Sequence, residues 1–142
     1  MEWSEVDLEA RTWTIPGAKT KNGVEHIVPL SDQAIAVISK QRRHGPFVFS
    51  ANGRTAVVDM SNEGGILKKL VGFNDWRLHD LRRSVASGMQ RLGVKPEVID
   101  KCLNHSAVVK GVAAVYLREQ YLPERRTAYD LWGAHIAKLA TP

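Results

Sequence analysis

Within Trp76 to Met89, WRLHDLRRSVASGM, a histidine and an arginine stand three residues apart, His79 and Arg82. A helix turns about 100° per residue, so both side chains fall on one face and can address one anion. The pair suits a phosphate: arginine is a permanently charged planar fork of donors, and histidine can pass a proton near neutral pH. Asp80, near the predicted helix start, favours the dipole and can act as a cap. Leu81, Val85 and Met89 form an i, i+4, i+8 stripe predicted to bury the opposite face. Taken alone the pair carries little weight, because HxxR arises by chance on many solvated helix faces.

Other residues of the same chemical kind surround it. Upstream, Thr20-Lys21-Asn22-Gly23 runs into His26-Ile27-Val28-Pro29-Leu30-Ser31; downstream come Leu103-Asn104-His105 and Val115-Tyr116-Leu117-Arg118. Each has an ordinary explanation. A lysine beside a turn is usually solvated, and a tyrosine is usually a half-buried packing residue with its hydroxyl on a partner. Cys102-Leu103-Asn104-His105 has the CxxH form of half a zinc site, but there is no second cysteine and His135 is the only later histidine. A four-ligand structural site is therefore disfavoured.

In this order and spacing the motifs resemble the catalytic domain of the tyrosine recombinases, in particular the phage-type integrases. The resemblance runs from Trp3-Ser4-Glu5-Val6-Asp7-Leu8 to Glu124-Arg125-Arg126 and Trp132. It implies a role for each motif residue. Arg82 would clamp non-bridging oxygens of the scissile phosphate, His79 would transfer a proton or hold the phosphate, and His105 would hydrogen-bond it. Lys21 would protonate the leaving 5′-oxygen, with Lys19 as a nearby competitor. Tyr116 would be the nucleophile that forms a 3′-phosphotyrosyl link, ahead of its rivals Tyr121 and Tyr129. Arg83, Arg42 and Arg43 would touch DNA, although a helix-terminus role also accounts for Arg42 and Arg43. His26 is expected to be structural or DNA-facing. The implied partners are double-stranded DNA and, in the full-length protein, further copies in a tetramer, with C-terminal segments exchanging between protomers.

No metal or other cofactor is implied, since Arg82, His79, His105 and Lys21 supply the charge and protons that a two-metal nuclease takes from ions. The family's first catalytic arginine precedes the Trp3–Asp7 segment, so the chain reads as a truncated catalytic domain. Removing one preorganised donor from such a site typically costs ~10²–10³ in rate. The isolated chain is therefore expected to cleave weakly or not at all. A non-catalytic DNA-binding module is the leading alternative. A metal-dependent phosphodiesterase would want clustered carboxylates, and the acidic residues here are scattered.

The elements that must position these residues follow from patterning. A chain of 142 residues, 44% apolar and 25% charged, fits one domain with a core. Its net charge of +5 raises the prior for a polyanionic partner. A sole cysteine, Cys102, excludes an internal disulfide, no apolar run approaches the ~20 residues of a membrane span, and the start is unlike a signal peptide. A cytoplasmic setting, in a bacterial or prophage host, is expected. Strands are predicted at Val6–Leu8, Thr12–Ile15 and Glu25–Leu30, with Asn22-Gly23 as a type I′ hairpin turn that leaves Lys21 at the tip. Helices follow at Asp32–Gln41 after the cap Ser31, with Phe47-Val48-Phe49 as a brief buried segment. Further helices are predicted at Asn62–Val71 with Ile66, Leu67 and Leu70 inward, from Trp76 to Met89, and from Pro96 to about Leu103 with Val98, Ile99 and Cys102 in the core. A short helix around Tyr116 precedes a last one at Pro123–Leu139 with Ala128, Leu131, Trp132, Ile136 and Leu139 on one stripe. The predicted fold is mainly α with a small antiparallel β-sheet, an α+β class, with residues 1–30 forming the sheet and 31–142 the helical part.

Overall fold

The computed structural model describes residues 1–57, 61–105 and 121–140. The fold is α+β: among these residues a three-stranded antiparallel sheet precedes five α-helices. The strands are β1 (Val6–Asp7), β2 (Thr12–Ile15) and β3 (His26–Pro29), in that spatial order. Val6 pairs with Trp13, and Thr12 and Trp13 pair with Pro29 and Val28. In the β1–β2 turn, the Asp7 carboxylate accepts from the Ala10 amide at 2.8 Å. Arg11 there takes a positive φ of 58°.

The β2–β3 connection departs from the predicted hairpin. Pairing stops at Ile15 because Pro16 has no amide to donate to a ladder. A 3₁₀ turn at Gly17–Lys19 follows, and of Asn22 and Gly23 only Gly23 has positive φ, at 70°. A type I′ turn needs both. The loop is held from within, the Thr20 hydroxyl lying 2.8 Å from the Val24 carbonyl. A Cβ on Gly17 would come within 2.4 Å of the Gly23 carbonyl oxygen, so the close crossing requires glycine.

Helix α1 (Asp32–Ser39) is capped by Ser31, whose hydroxyl accepts from the Ala34 amide at 3.4 Å. It ends two residues before the predicted Gln41. The Gln41 amide bonds the Ile38 carbonyl, tightening the last turn, while the Gln41 side chain takes the freed Val37 carbonyl at 2.9 Å. In the following segment only Val48 is deeply buried, Phe49 being 41% exposed.

Helix α2 (Ser61–Val71) starts one residue before the predicted Asn62, and Leu67 and Leu70 are 41% and 78% exposed and join neither apolar cluster, the Ile66 side chain lying outside the described ones. Periodicity defines a face without defining what covers it. Helix α3 (Leu78–Arg91) starts two residues after the predicted Trp76, and Asp80 caps it as expected, its carboxylate accepting from the Arg77 amide at 2.9 Å. Its predicted stripe is buried only towards the C-terminus: Met89 is fully buried, whereas Leu81 is 49% exposed. Gly93, at φ 82°, then reverses the chain, with the Val94 and Gly93 amides on the Met89 and Gln90 carbonyls.

Helix α4 (Pro96–Cys102) begins on Pro96, and Val98, Ile99 and Cys102 are buried as predicted. The last helix, α5 (Leu122–Ala140), is partly rotated from expectation: Ala128 is buried and Trp132 packs on the core as predicted, but Arg125 and Gly133 also face inward while Leu131, Ile136 and Leu139 are exposed. Small residues set this rotation. A Cβ on Gly88 of α3 would strike the Trp132 ring at 2.1 Å, and one on Gly133 would meet the Gln33 side chain at 2.1 Å. Helix α5 thus lies between two apolar clusters, one of Met89, Val98, Ile99, Cys102 and Ala128, the other of Leu30, Ile38 and Val48 with Trp3 and Trp13 against it. Packing against α1, α3, α4 and β3 of its own chain, it closes the core.

Candidate active site

The predicted catalytic residues among those described come from three places in this frame: the β2–β3 loop, the first half of α3, and the turn that ends α4. His79 and Arg82 are both on α3, one turn apart and exposed. Arg82 reaches across to α4, its Nη2 donating to the Leu103 carbonyl. Arg83 points elsewhere and pairs with Asp80 at 3.4 Å on its own helix.

The α4 turn is built by Asn104. Its φ of 50° is left-handed, a conformation asparagine tolerates better than most residues. The His105 amide bonds the Asp100 carbonyl at 2.9 Å and the Asn104 amide bonds the Lys101 carbonyl at 3.2 Å, the paired closure of a Schellman turn. His105 is thereby turned back along α4, where its Nδ1 lies 3.1 Å from the Asp100 carboxylate. A carboxylate on Nδ1 fixes the ring and leaves Nε2 for a ligand.

The β2–β3 loop meets this turn: the Asn22 side-chain amide lies 3.4 Å from the Asn104 side-chain oxygen. That contact puts Lys21 and His105 each one residue from a shared joint. Lys21 is exposed, and no ion pair holds it among the described residues. Lys19, its competitor, is 2.5 Å from carboxylate oxygens of both Glu2 and Glu5. Hydrogen bonds donated to Glu2 and then Glu5 raise its pKa, which opposes release of a proton. Of the remaining predicted contacts, Arg43 stacks over the Trp3 ring at 4.3 Å, and Arg42 is exposed with its carbonyl on His44.

Tyr116 lies outside the described residues. Its two rivals do not. Tyr129 donates its hydroxyl to the Cys102 carbonyl at 2.8 Å, and burial pushes its pKa up. Both effects disqualify it as a nucleophile. Tyr121 is partly buried against the α4–α5 cluster.

Sequence reasoning missed Arg125. This α5 side chain is only 5% exposed, and its Nη2 donates to the Ile27 carbonyl and to His26 Nε2, the latter at 3.3 Å. A buried charge of this kind needs partners to offset desolvation. Burial first, then Arg125 and Arg82, hold the His26 pKa down to about 4, with the Cys102 backbone acting in the opposite direction. His26 is thus a neutral imidazole near two guanidiniums. The signal available was only the position of Arg125 on the inward face, which the assumed apolar stripe concealed. Among the described residues no cluster of three His, Cys, Asp or Glu side chains could hold a metal ion.

The model of the phage integrase family matches residues 1–121. The chain belongs to that family. The integrase chain is 31% identical to prophage integrase IntA of Escherichia coli (strain K12), over 97% of this chain and 34% of that protein. It is 33% identical to prophage integrase IntZ of the same organism over 87% of this chain and 31% of that protein. With the integrase of Shigella phage Sf6 it shares 28% identity over 93% of this chain and 35% of the phage protein. It spans about a third of the length of these relatives. No solved structure matches it. Among the described residues, no helix of this integrase chain is long and apolar enough to cross a membrane.

Proposed function

We propose that residues 1–142 form one catalytic domain of a tyrosine recombinase that cuts and rejoins DNA at specific sites, integrating or excising a mobile element. Double-stranded DNA is the substrate, the longer protein works as a tetramer on it, and the setting is a bacterial cytoplasm. The observation that carries this reading is the convergence of Arg82, the Leu103–His105 turn and the Lys21 loop, joined by the Arg82–Leu103 and Asn22–Asn104 contacts. Family membership supplies the class of reaction.

Each group then has a chemical task. The Tyr116 phenolic oxygen attacks phosphorus, forming the O–P bond of a 3′-phosphotyrosyl link as the bond to the 5′-oxygen breaks. Lys21 gives its proton to that departing oxygen. Arg82 and the Nε2 of His105 bind non-bridging oxygens, where negative charge accumulates, and His79 holds the phosphate or moves the phenolic proton. Rejoining is the reverse: a 5′-hydroxyl attacks and the phenol leaves, so no high-energy cofactor is consumed.

Incubating the chain with nicked duplexes of randomised sequence and separating covalent adducts on denaturing gels tests the proposal. Slow adduct formation, abolished in Tyr116→Phe, is expected. DNA binding without any adduct, unchanged by Tyr116→Phe, would favour a purely DNA-holding module instead.

A further inference from the structure

Resting on the recombinase reading, we infer that Arg125 and His26 are positioning residues that lock the Arg82–His105 corner of the site to β3 from behind. Neither needs to touch DNA. Arg125 is sequestered on α5, where a single terminal nitrogen, Nη2, donates to both the Ile27 carbonyl and His26 Nε2. Its Nε has no hydrogen-bond partner among the described residues, and its guanidinium also faces the Cys102 thiol and the Tyr129 hydroxyl. Three elements meet at this point. β3 supplies His26 and Ile27, and α5 supplies Arg125 and, one helical turn on, Tyr129, which anchors the Cys102 carbonyl at 2.8 Å. Leu103, the next residue, offers its carbonyl to Arg82, and Asn104 and His105 follow in the fixed turn.

The geometry assigns a direction to the coupling. The two N–H bonds of one planar guanidinium nitrogen diverge at a fixed angle, which sets how the two acceptors lie relative to each other. Accepting a hydrogen bond at Nε2 requires His26 to carry no proton there. The neutral ring can then stand near Arg82 without adding a third positive charge to the corner. Releasing the guanidinium should let β3 and the α4 turn shift relative to each other. Displacements of about 1 Å in residues that position a phosphate cost on the order of 10²-fold in rate.

The test uses the whole chain carrying Arg125→Met, which keeps length but removes the guanidinium, with His26→Phe and His26→Gln. Folding is checked by circular dichroism, and the His105 imidazole and Asn104 amide are followed by NMR. In folded Arg125→Met and His26→Phe the His105 and Asn104 signals move and adduct formation falls about 10–100-fold, while DNA affinity stays within about two-fold. His26→Gln, which retains an acceptor, keeps adduct formation within about three-fold. Unmoved signals in a folded Arg125→Met or His26→Phe protein would overturn the inference, as would a loss of DNA affinity equal to the loss of rate. Absence of a Tyr116 adduct in the unaltered chain would bear on the recombinase reading and not on this one. The NMR comparison still decides the positioning claim by itself.

Discussion

At the scale of single residues, the two lysines of the β2–β3 loop separate by what each is bonded to. Lys19 is spent on Glu2 and Glu5, and the Glu5 side chain is only 6% exposed. Burial opposes ionisation of Glu5, yet bonds from Lys19, the Glu2 amide and the Trp13 indole hold its pKa down to about 2. Lys19→Ala should therefore lower the melting temperature while leaving adduct chemistry intact. Lys21→Ala should do the reverse, and a substrate with a 5′-bridging sulfur, whose leaving thiolate needs little protonation, should restore its rate. Equal rates for the two variants on the ordinary substrate would sink this assignment. Among the tyrosines, Tyr129→Phe removes one of the bonds to the Cys102 carbonyl and should cost about 0.5–1.5 kcal/mol in denaturant unfolding without preventing the adduct.

At the scale of elements, the site depends on how helices end and how closely they approach. Replacing Asn104 by Val would force a β-branched residue into a φ of 50°, at a cost of about 1–2 kcal/mol or more, whereas Asn104→Gly should be nearly neutral. Urea unfolding of the pair checks this, and equal stabilities would show that the turn does not need its left-handed residue. Gly88→Ala puts a methyl into the Trp132 ring and should cost about 1–3 kcal/mol as α3 and α5 separate. These features also mark what was legible in the sequence. The strand Thr12–Ile15, the cap Ser31, the proline start of α4 at Pro96 and the core of α4 rest on local rules and appear where predicted. The loop after Ile15 was misread because Asn22-Gly23 signals a tight turn only where the flanking strands stay paired, and Pro16 ends that pairing. The faces of α2 and α5 were misread because an apolar stripe names no partner. On α5 the decisive inward residues are two non-apolar ones, Arg125 and Gly133. The order of the motifs around His79, Arg82 and His105 was legible, but the joint between Asn22 and Asn104 depends on tertiary placement of segments 82 residues apart.

At the scale of the molecule, burial of His26 beside the Arg125 guanidinium makes stability depend on pH in a definite direction. His26 in the unfolded chain takes up a proton near its ordinary pKa of 6.5, whereas in the fold it does so only near 4. Between these values the unfolded state binds more protons, so stability falls as pH is lowered. The loss begins as pH drops through 6.5, is complete below about 4, and amounts to at most about 3 kcal/mol. Glu5 adds a second, lower window: its carboxylate protonates near 4.5 when unfolded and near 2 when folded, so its contribution is lost as pH falls between those values. The two windows barely overlap, which makes them separable. Urea midpoints measured from pH 8 to 3 should decline from about pH 6.5 in the unaltered chain and stay flat to about pH 4.5 in His26→Gln, with the acid limb below that common to both. A His26→Gln profile that declines from pH 6.5 in parallel with the unaltered chain would place the titrating group elsewhere. It would also detach the histidine from the buried arginine that ties the last helix to the sheet.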